Sequence, residues 1–261
     1  TETVSVWMTQ PLWRGATMQL LLWAWLAAPA AVAFQPAAAA LASFRGGAVR
    51  RATSLSVDDQ FVDDEALLAQ STFPIKPDDL IAKCKDVIRA QSTLQNADEF
   101  DESIYADDFR FCAPFVGGPT PAKPDDPMPG LPKAEFLAAL RGFDLLDAFP
   151  DMNNNYHAFR VDPFEPNRVW FQTRCFAPHT GALMGSAATN QRLELPPQAF
   201  SMTFNERGEV TLFNVGYVLD RTVGNTGGLG GAFGFFWATG NALPFPECEP
   251  FKGSLQLRGL G

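Results

Sequence analysis

The stretch Gln198–Arg221, QAFSMTFNERGEVTLFNVGYVLDR, decides how this chain is read. Apolar residues alternate with polar or small ones on both sides of Glu206-Arg207-Gly208. Period-two alternation around a glycine-containing turn is the pattern of a β-hairpin. A second hairpin stands just upstream, where NNYHAFRV (Asn154–Val161) and NRVWFQTRCFA (Asn167–Ala177) flank the turn Pro163–Asn167.

The chain before Asp151 has a helical period instead. In KPDDLIAKCKDVIRAQ, Pro77 suits the first helical turn, and Asp78 and Asp79 suit the positive end of the helix dipole. Leu80, Cys84, Val87 and Ile88 form one apolar stripe. NADEFDESIYADDF (Asn96–Phe109) reads as a short second helix. FRFCAPFVGG reads as a strand ending at Pro114, and a proline-rich loop runs from Pro119 to Pro132. KAEFLAALRGFDLLDAF (Lys133–Phe149) is a further helix with Phe136, Leu140, Phe143 and Leu146 or Ala148 inward. Helices followed by a run of antiparallel strands predict an α+β domain. A curved sheet wrapped around the helices would enclose a cone.

Composition narrows the function. The chain has 261 residues and a net charge of −9, with its arginines scattered, so nucleic acid is excluded as a partner. Phe is abundant (23, against 3 Tyr and 6 Trp), which suits an apolar core or an oily cavity. The four cysteines, Cys84, Cys112, Cys175 and Cys248, form no CxxC pair, and there are only two histidines. Reduced buried thiols, no metal site and no cofactor are the expectation.

The first residues read as an address. The apolar run from Met18 is broken by Pro29 and ends in Ala31-Val32-Ala33, the small-x-small pattern read by signal peptidase. It falls short of the roughly 20 apolar residues of a membrane span, although an uncleaved anchor is the alternative. FQPAAAALASFRGGAVRRATSLSV follows from Phe34, rich in Ala, Ser and Arg, with no acid before Asp58. This pair of segments resembles the two-part leader of algae with secondary plastids, which implies a plastid protein. The expected organisation is a leader over 1–56, an acidic linker over 57–75, a folded domain over 76–222 and a Gly/Phe/Pro-rich extension over 223–261.

The element order is similar to the SnoaL-like branch of the nuclear-transport-factor-2-like superfamily, a cystatin-like α+β barrel. YADDFRF (Tyr105–Phe111) resembles its helix-to-strand entry. HTGALMG (His179–Gly185) resembles its His-Thr-Gly segment, NERGEV (Asn205–Val210) its last hairpin, and GYVLDR (Gly216–Arg221) the acidic end of the final strand. The family's Pro-Thr-Gly is replaced here by SAATNQRLELPPQ (Ser186–Gln198). The resemblance implies an NTF2-like cone with an enclosed pocket for a hydrophobic small molecule. It also implies metal-free acid–base chemistry of cyclase, isomerase or hydratase type, with Asp220 as general base and His179 as its partner. Many members are dimers packed through the sheet, so a homodimer is allowed.

Each candidate has a plainer reading. Asp220 next to Arg221 also suits a surface ion pair or a turn cap. His179, between Pro178 and Gly181, also suits a turn bonded to backbone, and His157 suits a rim or surface position. In RVWFQTRCF, strand alternation puts Trp170, Gln172 and Arg174 on one face and Val169, Phe171, Thr173 and Cys175 on the other. The first face mixes an aromatic with hydrogen-bonding groups, as ligand pockets do, and the second suits packing on a helix. An outward, solvated Arg174 is the alternative. In VTLFNVGYVLD, alternation places Asn214 with Asp220 and puts Tyr217 on the opposite face; Asn214 and Tyr217 complete the expected pocket set.

GNTGGLGGAFGFFWATG (Gly224–Gly240) has the wrong glycine spacing for a dinucleotide loop and no Lys-Ser/Thr pair for a phosphate loop. It is apolar enough to plug the cone, form an interface or touch a thylakoid surface. A non-catalytic module that binds or assembles plastid complexes, photosynthetic ones included, is therefore the rival to the small-molecule reading.

Overall fold

The computed structural model describes residues 56–92, 100–114, 116–117, 128–142, 145–244 and 246–250. Residues 1–55 of the leader fall outside the described residues, as do Phe143 and the end of the C-terminal extension. The chain divides into two units, Thr1–Val62 and Asp63–Gly261. The described part of the first is a single 3-10 turn, Asp58–Gln60, steadied by Ser56 N donating to Asp59 Oδ2 at 3.0 Å.

The second unit is α+β. Its helices are α1 (Asp64–Leu68), α2 (Pro77–Gln91), α3 (Lys133–Gly142), α4 (Leu145–Ala148) and α5 (Gly231–Ala238). Its strands are β1 (Tyr105–Cys112), β2 (Leu131–Pro132), β3 (His157–Val161), β4 (Arg168–Thr173), β5 (Phe176–Pro178), β6 (Arg192–Glu194), β7 (Gln198–Phe204) and β8 (Val210–Val218). A six-stranded curved sheet has the order β2-β1-β8-β7-β4-β3, and β5 and β6 make a separate two-stranded sheet.

Both expected hairpins form, β3–β4 and β7–β8. One pairing departs from the expected antiparallel sheet: β1 runs parallel to β8. The first and last strands of the sheet lie side by side, and the intervening chain supplies the crossover that a parallel pair needs.

A second departure is at Asn96–Phe109, read as a helix. The described part is a 3-10 turn, Glu102–Ile104, leading straight into β1, with Asp101 Oδ1 accepting from Ser103 N at 2.9 Å. Asp107 and Asp108 face solvent on that strand, whereas Tyr105 and Phe109 are buried. Of the helix expected over Lys133–Phe149, the described residues show Lys133–Gly142 and Leu145–Ala148, α3 and α4. Ala148 rather than Leu146 points inward, since Leu146 is 44% exposed.

Two cores result. The first joins Leu80, Cys84 and Val87 of α2 and Phe136 and Leu137 of α3 to the inner face of the sheet. Cys84 Sγ lies 3.8 Å from Met202 Sδ, placing α2 on β7, and Gln91 Nε2 donates to the Tyr105 hydroxyl at 2.8 Å. Each such buried side chain contributes about 1.5–3 kcal/mol. The second core joins Ala148 and Phe149 after α3 to Cys175, Ala177, Leu193 and Leu195 around β5 and β6, and to Phe235 and Phe236 of α5. Phe235 and Phe236 of the apolar segment are thus packed inside their own unit. All four cysteines are buried and free, and burial pushes the Cys84 and Cys175 thiols up to about 12. Among the described residues no helix is long and apolar enough to cross a membrane.

Candidate functional site

Burial along the inner face of the sheet is uneven: the inner side chains of β4 are all buried, whereas some on β7, β8 and β1 are not. Cross-strand pairs Val169↔Met202, Phe171↔Phe200 and Thr173↔Gln198 step along it from β4 to β7. Val169, Met202, Phe204 and Val210 are fully buried. Further along, Phe200, Val215 and Phe111 are only half-buried, although they lie on β7, β8 and β1 in the middle of the sheet. A side chain on an inner strand, flanked on both sides, keeps exposure only if the layer above stops short of it.

The inner face beside these half-buried side chains is aromatic. Phe111 stacks on Phe136 at 4.8 Å and meets Phe213 at 6.0 Å. Phe200 lies 6.4 Å from Phe213 and 5.4 Å from Phe171, and Phe171 stacks on Phe159 at 5.2 Å. Tyr156, 42% exposed, stands at the rim with its ring 6.0 Å from Phe171.

Two polar side chains end this floor. Thr173 and Gln198 face each other across β4 and β7, and each is only 2% exposed. Gln198 Oε1 accepts from Gly231 N at 2.8 Å, at the start of α5. That bond fixes the amide, because the backbone N–H needs an acceptor, so Nε2 is the free end. Among the described residues neither Gln198 Nε2 nor Thr173 Oγ1 has a protein partner. An unpaired polar group in an apolar site costs about 1–3 kcal/mol, so such a pair marks a place for a ligand or water.

Sequence reasoning chose the other face of β4. Trp170, Gln172 and Arg174 lie outside the cone, because Val169, Phe171 and Thr173 fill the inner face. Trp170 Nε1 donates to Asp162 Oδ2 at 2.7 Å, and the Arg168 guanidinium sits over the Trp170 ring at 5.6 Å. Gln172 is half-buried opposite Ala199, and Arg174 pairs with Glu194. Asn214 shares that outer face and donates to Ser201 Oγ at 3.4 Å. Tyr217 is 43% exposed opposite Ala199, on the same side as Asn214. The reason is a bulge: Ser201 pairs with Asn214 and Ala199 with Tyr217, so Val215 and Gly216 together oppose Phe200, and alternation reverses. His157 is exposed, with Nδ1 2.7 Å from Asn155 O.

The expected acid–base pair does not form. Asp220 is exposed, and its Oδ1 accepts from Thr222 Oγ1 at 2.5 Å and from Thr222 N at 2.9 Å. These bonds hold its carboxyl below the usual value, the opposite of what a general base near neutral pH requires. His179 is fully buried against the second core, its ring 5.0 Å from Phe149. Its Nδ1 accepts from Thr189 N at 3.1 Å, which puts the proton on Nε2, and Nε2 has no partner. Burial lowers its pKa and keeps it neutral. The segment around it seals α4: Thr180 N and Gly181 N both donate to Ala148 O, at 3.2 and 3.0 Å.

No family model and no curated protein matches the chain. Solved structures do. A protein described as a SnoaL-like polyketide cyclase from Jannaschia sp. CCS1 matches at 17% identity over 51% of this chain and 83% of its own, with a TM-score of 0.33. The Δ5-3-ketosteroid isomerase of a Mycobacterium species matches at 13% identity over 53% and 96%, with a TM-score of 0.32. A Mycobacterium tuberculosis protein, solved with estradiol-17β-hemisuccinate, matches at 15% identity over 51% and 92%, with a TM-score of 0.33. None of these likenesses transfers a residue role to this chain.

Proposed function

We propose that this chain binds a hydrophobic small molecule on the open end of its concave sheet. The observation that carries the reading is the half-exposure of Phe200, Val215 and Phe111 on β7, β8 and β1. An apolar ligand seated there would remove those side chains from water, at roughly 25 cal/mol per Å² of apolar surface. Binding is favoured over turnover, because neither group assigned to acid–base chemistry reaches this floor: Asp220 is in a surface turn and His179 is buried against Phe149 of the second core.

Titration of the purified chain with the neutral fluorophore Nile red tests this. A saturable one-to-one enhancement, matched by a single-ligand mass shift in native mass spectrometry, is expected. Linear, unsaturable partition of the dye would overturn it.

The compartment is a separate proposal. The leader read over 1–56 would carry the chain into a plastid, and fusing those residues to a fluorescent protein in a secondary-plastid alga tests it; retention in the endoplasmic reticulum would refute it. The assembly reading has one observation in its favour, the acidic arm whose Phe61 is 75% exposed.

A further inference from the structure

We infer that the ligand is neutral and carries a hydrogen-bond-accepting oxygen, of ketone, aldehyde or ester type, which Gln198 Nε2 and Thr173 Oγ1 jointly hold. This rests on the binding reading above and specifies its chemistry.

The amide is built into place from three sides. Gly231 N fixes Oε1 at 2.8 Å. Gly230 lets α5 approach so closely, because a Cβ there would fall 2.6 Å from Gln198 Oε1 and 2.8 Å from Val218 Cγ2. Gly216, at φ +78°, passes on the β8 side, where a Cβ would lie 3.6 Å from the same oxygen. With its oxygen engaged, Gln198 offers the concave face only N–H donors. Thr173 is its direct cross-strand partner, and such pairs stand about 4.5–5.5 Å apart at Cβ, close enough for both to reach one oxygen. Thr173 can donate as well as accept, so the pair presents two donors to one acceptor.

The same geometry argues against an acid. Both side chains are 2% exposed, and the neighbouring floor is Phe171 and Phe200. A carboxylate there would lose its hydration and gain no countercharge from either residue. A plain hydrocarbon would leave both polar groups unpaired. A neutral carbonyl satisfies both without burying charge.

The test uses three ligands on one rigid skeleton: fluorenone, fluorene and fluorene-9-carboxylate. Each is titrated against the full chain and against Thr173→Val and Thr173→Ser. Thr173→Val keeps the shape and removes the hydroxyl; Thr173→Ser keeps the hydroxyl. Thr173→Val should weaken fluorenone about fivefold while leaving fluorene within about twofold, as expected for one net hydrogen bond, and Thr173→Ser should retain most of the ketone affinity. The carboxylate should bind weakest. The Gln198 side-chain amide resonances should shift with fluorenone and not with fluorene. If fluorene and fluorenone bind the wild type and Thr173→Val alike, the hollow stands, water meets the donors, and the carbonyl assignment is wrong. Tighter binding of the carboxylate than of the ketone also overturns it. If none of the three binds, the inference falls together with the binding reading itself.

Discussion

At the scale of single residues, His179 and Gly181 show how a segment that looks functional can be structural. A Cβ on Gly181 would fall 1.8 Å from Asp147 O, so Gly181→Ala must push α4 away from the segment that seals it. A loss of about 3 kcal/mol in urea denaturation is expected, as for severe overpacking. His179 gives stability a pH dependence. Burial lowers its folded pKa below the ordinary 6.5. Above about 6.5 neither state holds the proton, and stability is flat in this respect. As pH falls below that value the unfolded chain takes a proton that the folded chain refuses, so stability declines. His179→Asn should flatten the change in urea midpoint between about pH 7.5 and 5.5; an unchanged slope would show that the imidazole is not the source. Asp220→Asn should leave Nile red affinity within about twofold, since its carboxylate bonds only Thr222 in a surface turn. The polar pair was legible in one respect. Thr173 keeps phase with Val169 and Phe171, and Gln198 with Phe200 and Met202, so each is a polar residue in an apolar phase. What the letters did not show was which phase faced inward, because the outer face of β4 holds Trp170 and Arg174 and looks equally like a pocket.

At the scale of elements, the hairpins were readable because alternation and a turn glycine act locally. The bulge in β8 was not, because one extra residue leaves the sequence pattern almost unchanged while reversing every side chain after it. Gly216 permits that bulge through its φ of +78°. Gly216→Val should cost about 1–2 kcal/mol for the left-handed backbone, and it also brings a side chain toward Gln198 Oε1. A change in ligand affinity alongside the lower denaturation midpoint is expected; a stability loss with unchanged affinity would separate the bulge from the site. The parallel β1–β8 pair was also hidden, since it joins segments far apart in the sequence.

At the scale of the unit Asp63–Gly261, the two cores lie against two different sheets, and α5 links them. Phe235 and Phe236 pack in the second core, while Gly231 N reaches back to Gln198 on β7. The extension read from the sequence as a tail is therefore part of the site's support. Helix-then-strand order made the α+β class legible; the second core was not, since β5 and β6 are short and their partners come from distant segments. The central claim is that the layer above β7 and β8 leaves room over Phe200 and Val215. Val215→Trp fills that room directly. Titration of wild type and Val215→Trp with Nile red, with far-ultraviolet circular dichroism to check the fold, is the most direct measurement. The account predicts an unchanged spectrum and at least a tenfold weaker affinity, about 1.4 kcal/mol. Equal affinity in a folded Val215→Trp chain would contradict it.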